Sequence, residues 1–152
     1  MTVQLTAFLM MDGKAKQAIE FYKEALDASV LFSQTYGDAP ENPESPLPAN
    51  RRDLVAHAVL KIGMATVMVA DRLPGRPHRS GNQVQICMTT DEKEKAIRYY
   101  EALKQEGQVE MPLQQTHFSP GVAIVADKFG IVFQIVTMTS EEAAIRGHQK
   151  DR

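Results

Sequence analysis

The sequence predicts an α+β fold made of two tandem βαβββ modules. Two internal repeats carry this prediction. The segment AIEFY at 18–22 returns 78 positions later as AIRYY at 96–100, and Val55-Ala56 returns 67 positions later as Val122-Ala123. The two spacings differ by 11 residues, as an insertion in the first half would produce. A period near half of the chain indicates two copies of one module rather than a solenoid of short repeats.

The first module is expected to run in the order β-α-β-β-β. Residues 2–11 mix β-branched and apolar side chains without a helical period and end at the turn signal Asp12-Gly13, which predicts a buried strand. Residues 14–26 carry apolar side chains at spacings of three and four, which predicts an amphipathic helix. The remaining strands are predicted at 29–36, 54–60 and 64–70, with a short turn at 61–63 between the last two.

A proline-rich loop and a linker separate these elements from the second module. Prolines at 40, 43, 46 and 48 exclude a helix or a central strand from 38–50, which is therefore a surface loop and the insertion. Pro, Gly and Arg dominate the linker at 72–82. The second module is predicted to contain strands at 84–89, 109–115, 121–126 and 131–137 and a helix at 92–104.

The two modules are expected to form one domain over 1–152. Module one covers 1–71, module two covers 83–138, and a tail at 139–152 begins with a capping box that predicts a short helix. Each half alone is marginal in size, so we expect one shared core. The modules would combine into a cup-shaped mixed sheet around a cavity, with the helices outside, and a cavity of this kind is where a ligand binds.

Composition excludes several classes of partner. The chain has 17 basic and 19 acidic side chains, a net charge of −2 and no long basic run, so nucleic acid is not expected as a partner. No apolar stretch approaches the roughly 20 residues that span a bilayer, and the N-terminus lacks a signal-peptide pattern, so we expect a cytoplasmic protein without a membrane partner. The single cysteine, Cys87, excludes an internal disulfide and is expected to be a buried small hydrophobe.

Five short motifs, in this order along the chain, resemble a known family. They are FLM at 8–10 with DGKA at 12–15, HAVLKIG at 57–63, GN at 81–82, MPL at 111–113 and DKFG at 127–130. Their order and spacing resemble the vicinal-oxygen-chelate superfamily of glyoxalases, extradiol dioxygenases and bleomycin-resistance proteins, and within it the PhnB-like branch. The resemblance implies the paired-module fold, a central ligand cavity and a homodimer.

The resemblance also implies four positions at which enzymes of this superfamily bind a divalent metal. They fall near Thr6, at Val67 or Met68, at Gln85 and at Gln134. Transition metals prefer imidazole, carboxylate or thiolate ligands, and neutral amides are weak ligands for them. We therefore predict that the usual metal site is lost and that the protein has no metal and no other cofactor.

Residues near the implied cavity are the candidate ligand contacts. His57 is predicted as a polar contact and candidate general base, with a core or edge histidine, or a substitute metal ligand, as the alternatives. Gln85 and Gln134 are expected to form a polar patch on the cavity floor, unless strand alternation turns them to solvent. Thr6 and Met68 are further predicted contacts. His117 and Phe118 lie in a loop, where they would gate or stack on a ligand or simply pack the loop.

Three classes of function remain open from the sequence. The first is a protein that binds a small organic molecule in its cavity through His57, Gln85 and Gln134. The second is a metal-dependent enzyme with isomerase, lyase or oxygenase chemistry on a chelating substrate. The third is a structural or interaction protein, which would have a filled interior. The absence of acidic residues at the implied metal positions favours the first class.

Overall fold

The computed structural model describes residues 2–73, 77–117, 119–139, 141 and 145. The chain divides into two compact units, Met1–Arg79 and Ser80–Arg152, and the boundary falls inside the predicted linker. The predicted C-terminal helix lies mostly outside the described residues. No helix in the described part of the chain is long and apolar enough to cross a bilayer.

The first unit is a four-stranded mixed sheet with one helix packed on it. Its elements are β1 Phe8–Met11, α1 Ala15–Leu26, β2 Ser29–Thr35, β3 Val55–Ile62 and β4 Ala65–Asp71. The strand order is β1-β4-β3-β2, in which β1 is parallel to β4 and the other pairs are antiparallel. The helix lies against β1, β3 and β4.

The second unit repeats this topology. Its elements are β5 Ile86–Thr90, α2 Lys93–Leu103, β6 Gln108–Gln114, β7 Gly121–Ala126 and β8 Val132–Thr137. The strand order is β5-β8-β7-β6, and β5 is parallel to β8. The α+β class and the two βαβββ modules are therefore confirmed. The strands form two open four-stranded sheets, one in each unit, and their combination into one cup around a cavity stays a prediction.

The core of each unit lies between the sheet and its helix. In the first unit, Tyr22 and Leu26 of α1 pack with Leu60 of β3 and Val69 of β4, and all four are fully buried. The second helix buries less of its predicted stripe. Among its residues only Ala96 and Leu103 are buried, and they face a buried row on β7 and β8 that comprises Ala123, Val125, Phe133 and Ile135.

Most element boundaries agree with the sequence to within two residues, and two differences matter. The first strand was predicted over 2–11, but β1 begins only at Phe8. A strand was predicted over 84–89, but β5 begins at Ile86, so that Gln85 lies just before it. A strand needs a hydrogen-bonded neighbour as well as a suitable side-chain pattern, and local sequence reports only the pattern.

The proline-rich segment is a surface loop, as predicted. Nearly all of residues 38–50 are exposed. Backbone bonds close the base of the loop: the Tyr36 N–H donates to the Leu54 carbonyl at 3.0 Å, and the Gly37 N–H donates to the Arg52 carbonyl at 2.9 Å. A Cβ atom on Gly37 would lie 2.9 Å from that Arg52 oxygen. The close approach of the two ends of the loop therefore requires glycine.

Asp71, the last residue of β4, ties four segments of the first unit together. Its buried carboxylate accepts the Ala15 N–H through Oδ1 at 2.9 Å and the Val55 N–H through Oδ2 at 3.0 Å. Its backbone carbonyl accepts the Tyr36 hydroxyl at 3.0 Å. The start of α1, the start of β3 and the end of β2 are thus held at one point. A buried backbone N–H without an acceptor is costly. These bonds are therefore required where the starts of α1 and β3 enter the core.

We expect Asp71→Asn to lower the free energy of unfolding by about 3 kcal/mol, because an amide keeps one acceptor oxygen and turns an N–H₂ group toward the other buried donor. Urea denaturation of the full chain measures this loss. Asp53→Asn is the matched control, since Asp53 is exposed and we expect a change below about 0.5 kcal/mol. Equal losses in the two variants would contradict this role of Asp71.

Burial raises the pKa of Tyr36 above its ordinary value of 10.0, and the nearby Asp71 charge contributes a smaller increase. The folded chain then binds the phenol proton more tightly than the unfolded chain, so this contribution to stability is complete below the ordinary pKa and is lost as the pH rises through the folded pKa. Tyr36→Phe should therefore cost about 1 kcal/mol at neutral pH, and the difference from wild type should shrink in strongly alkaline solution. A constant difference across a pH series of denaturation curves would refute this.

Candidate functional site

His57, near the start of β3, is the candidate polar contact of the first unit. Side chains on a strand alternate between the two faces of the sheet. Ala58 and Leu60 are fully buried on the face that α1 covers, whereas His57 is half-buried and lies on the opposite face. His57 is therefore not part of the core between the sheet and α1. Its imidazole lies on the face of the sheet that α1 leaves uncovered.

Two phenylalanine rings flank this imidazole. The Phe8 ring from β1 lies 5.8 Å from the His57 ring between centroids, at an interplanar angle of 46°. The Phe32 ring from β2 lies at 5.9 Å and 51°. Tilted contacts at these distances are the favoured geometry of aromatic pairs. We call these three residues the aromatic cluster.

The aromatic cluster combines exposed apolar surface with an available polar group. Phe8 is 45% exposed and Phe32 is 47% exposed, values that are high for large hydrophobic side chains. Met10 follows Phe8 on the same face of β1 and is also exposed. Within the described ranges, no hydrogen bond reaches either imidazole nitrogen of His57. A molecule on this face could therefore bury apolar area and form a hydrogen bond with His57.

The second unit brings Gln85 and Gln134 together, as the predicted polar patch requires. Nε2 of Gln134 donates to Oε1 of Gln85 at 2.7 Å, and Nε2 of Gln85 donates to the Asn82 carbonyl at 3.1 Å. Both glutamines are half-buried. The result is a short chain of neutral hydrogen bonds on the face of β8 opposite to the buried Phe133 and Ile135.

Cys87 was predicted to be buried, and this was wrong, because it is exposed. The register pairs Cys87 with Gln134, while its neighbours Ile86 and Met88 pair with the buried residues Phe133 and Ile135. Cys87 therefore shares the face of the glutamines. The sequence of β5 is apolar on both sides of this position, so its alternation gave no signal of which face is covered.

The other predicted contacts are scattered. Thr6 is half-buried and precedes β1, and Met68 is half-buried on β4, paired in register with Phe8. His117 is exposed in the connection between β6 and β7, where Thr116 and Ser119 close a turn through two mutual hydrogen bonds near 3 Å. Phe118 lies outside the described residues. For all seven candidate residues, ligand contact stays a prediction.

The residues at the implied metal positions do not suit a divalent metal. Oε1 of Gln85, the atom that would coordinate an ion, already accepts a hydrogen bond from Gln134. Thr6 and Met68 offer an alcohol and a thioether, which are poor ligands for such ions. No group of three or more His, Cys, Asp or Glu residues that could hold a metal occurs among the described residues.

Two βαβββ modules, each with a helix on one sheet face and polar groups on the other, define a paired-module α+β protein. Residues 4–135 match the family model of the Glyoxalase/Bleomycin resistance protein/Dioxygenase superfamily, and the chain belongs to this superfamily. Protein YjdN of Escherichia coli (strain K12) is 27% identical over 138 residues, which cover 86% of this chain and 92% of YjdN.

Solved structures agree with this assignment. Protein PA1353 from Pseudomonas aeruginosa superposes with a TM-score of 0.79 at 27% identity, over 90% of this chain and 98% of that chain. A PhnB protein from Bacillus cereus gives 0.73 at 23% identity, over 89% and 99%. The fosfomycin resistance protein FosX from Listeria monocytogenes, solved with Mn(II) and 1S,2S-dihydroxypropylphosphonic acid, gives 0.63 at 12% identity, over 95% and 99%. The predicted resemblance to the superfamily and to PhnB-like proteins is confirmed.

The aromatic cluster shows which site residues the sequence did not reveal. Phe8 belongs to a motif that supports the family resemblance, but neither Phe8 nor Phe32 was predicted as a site residue. The available signal was parity, because Leu9 and Met11 face the core and thereby turn Phe8 to the other face. Contact with His57 depends in addition on the strand order, which no local pattern reveals.

We expect the two glutamines to be energetically coupled. In a double-mutant cycle of Gln85→Leu and Gln134→Leu, the coupling energy should be about 1 kcal/mol, because each single variant leaves one partner of the 2.7 Å hydrogen bond unpaired. Urea denaturation of the four proteins measures it. A parallel cycle of Gln134→Leu with Gln108→Leu, an exposed position on β6, should show no coupling. Additive losses in both cycles would show that the pair is not a unit.

Proposed function

We propose that this protein binds a small organic molecule on the aromatic cluster of its first unit, with His57 as the polar contact. The proposal rests on the position of the His57 imidazole between two half-exposed phenylalanine rings. Within the described ranges this imidazole makes no hydrogen bond. Binding sites for small molecules combine a largely apolar lining with a few polar groups that fix orientation.

The energetics favour a ligand with a flat apolar part. Covering exposed aromatic surface contributes about 25 cal/mol per Å² of apolar area removed from water. The two phenylalanine rings come from β1 and β2, the two edge strands of the sheet, and both contact His57 on the inner strand β3. A planar ring that packs against them would contact both edges of the cluster at once.

His57 determines the polar requirement of this ligand. A neutral imidazole donates through one ring nitrogen and accepts through the other, so it can bind a hydroxyl or a carbonyl group. We therefore propose an aromatic or similarly planar compound that carries a hydroxyl or carbonyl group. Gln85 and Gln134 are proposed as neutral ligand contacts of the second unit, because amides also both donate and accept.

Comparison with the other function classes supports binding rather than metal-dependent catalysis. FosX contains Mn(II) in its solved structure, but its 12% identity to this chain shows a shared fold alone. Fold does not determine function, which depends on the side chains at the site. The side chains at the implied metal positions of this chain are an alcohol, a thioether and two amides, and this donor set supports a site without a metal.

We expect members of a panel of phenols, hydroxybenzoates and quinones to bind the wild-type protein and to bind His57→Leu at least about 10-fold more weakly, because one hydrogen bond to the ligand is lost. Ligand-observed NMR followed by titration calorimetry measures both affinities. Phe32→Ala should weaken the same compounds, because it removes one wall of the cluster.

The matched control is Lys61→Leu, which changes an exposed residue four positions further along β3 on the same face. Its affinities should equal those of the wild type. If no compound of the panel binds, or if His57→Leu and Phe32→Ala bind as tightly as the control, the proposed site is wrong.

A further inference from the structure

Gln34 of β2 lies beside His57 on the face of the first sheet that α1 leaves uncovered, which we call the uncovered face. The antiparallel register of β2 and β3 pairs Gln34 with His57. Residues paired in this way project their side chains on the same face, with Cβ atoms about 5 Å apart. Gln34 is exposed, and it was not predicted as a site residue. An amide and an imidazole are therefore neighbours at the edge of the aromatic cluster.

Neither of these two polar side chains is committed to a hydrogen bond elsewhere in the fold. Over the part of the chain that the structure describes, no hydrogen bond or ion pair reaches the amide of Gln34, and no hydrogen bond reaches the His57 ring. Apolar groups border His57 on its other side, where the Phe8 ring approaches it and the continued register of β4 places Ala70. A ligand that bonds His57 would therefore meet Gln34 as its next polar neighbour.

An apolar pair of residues lies next to this polar pair. Successive residues on one face of a strand are about 7 Å apart. Phe32 and Val59 are paired in register and precede Gln34 and follow His57 on the same face. Phe32 is 47% exposed and Val59 is half-buried. A ring that packs on Phe32 and Val59 would direct a substituent toward both polar side chains at once.

We propose that the ligand is an aromatic carboxylate with one oxygen bonded to His57 and the other to Gln34, and that Gln34 selects this class of compound. Such selection rests on the proposed binding at the aromatic cluster. An ionised carboxylate only accepts hydrogen bonds, and a neutral imidazole and an amide can each present an N–H donor to it. Hydrogen bonds to an ionised group are roughly twice as strong as those between neutral groups. A single hydroxyl group has one oxygen atom and would leave one of the two side chains unused.

The charges of the first sheet are compatible with a bound anion. Apart from His57, its four strands contain only two ionisable residues, Lys61 and Asp71. Asp71 projects to the opposite face, where its carboxylate bonds the start of α1. Lys61 lies four residues from His57, about 13 Å along β3, which is beyond the reach of a compound with one ring. A carboxylate at His57 and Gln34 would therefore meet neutral donors and no repelling charge from the strands.

Titration calorimetry of the full chain with benzoate, benzamide and phenol tests this selection, because the three compounds share one ring. We expect the wild type to bind benzoate at least about 10-fold more tightly than phenol. Gln34→Leu should weaken benzoate at least about 10-fold and change the affinity for phenol less than about 2-fold. Gln34→Glu keeps the size of the side chain and should weaken benzoate further by repulsion, while benzamide still binds.

Ser29→Ala is the matched control. Ser29 lies on the same face of β2 but pairs with Lys61, two pairs away from Gln34 and His57. The affinities of this variant for all three compounds should equal those of the wild type. Ser29 and Gln34 are both exposed, so each variant should keep the circular dichroism spectrum of the fold.

The result for phenol separates a failure of this selection from a failure of the proposed function. If phenol binds and depends on His57 but benzoate binds no more tightly, the ligand class is wrong while the site stands. Equal weakening of phenol and benzoate in Gln34→Leu would likewise overturn the role of Gln34. If none of the three compounds binds the wild type, the proposed function fails and the selection fails with it. A benzoate preference that Gln34→Leu removes and Ser29→Ala retains would support the assignment.

Discussion

The first unit depends on the need to satisfy buried backbone donors where α1 and β3 enter the core. Asp71 meets this need with one carboxylate, which accepts from Ala15 and Val55. The bonds fix where β3 starts relative to the end of β4. Once that register is set, alternation turns Ala58 and Leu60 toward α1 and His57 to the opposite face. The position of the candidate ligand contact therefore follows from a hydrogen-bond requirement on the other side of the sheet.

The second unit reaches the same topology with different polar bonds. The repeat spacing of 67 aligns Asp71 with Met138, which has no acceptor side chain and whose N–H donates to the Thr90 carbonyl at 2.8 Å. The start of α2 is bonded by the Thr90 hydroxyl, which accepts the Glu92 N–H at 3.1 Å. The shared feature of the two units is thus the apolar alternation of their strands, and the duplicated topology depends on it rather than on any single polar contact.

Patterns in the sequence predicted the helices, the strands and their order in each module, because these depend on the spacing of residues along the chain. The helical stripe beginning at Ala15 and the alternation of β7 gave elements close to those observed, and the repeat gave the module topology. Gln85 and Gln134 were predicted to form a polar patch, and Nε2 of Gln134 donates to Oε1 of Gln85. Their contact with a ligand stays a prediction. The exposure of Cys87 and the flanking of His57 by two rings depend on strand order and on which sheet face is covered. Those are tertiary properties, and single-strand patterns do not contain them.

The side chains of the two units, unlike the shared scaffold, distinguish between metal chemistry and the binding of an organic molecule. A metal-dependent site needs ligands whose lone pairs are free for the ion, and in this chain the carbonyl oxygen of Gln85 already accepts the Gln134 amide. A binding site for an organic molecule needs exposed apolar surface beside an available polar atom. The aromatic cluster offers both, because the His57 ring makes no hydrogen bond in the part of the chain that the structure describes. Because the superfamily scaffold is retained at 12% identity to FosX, the fold constrains these side chains only weakly. The neutral side chains at the implied metal positions and the aromatic cluster therefore favour the proposed binding function over metal chemistry on the same framework.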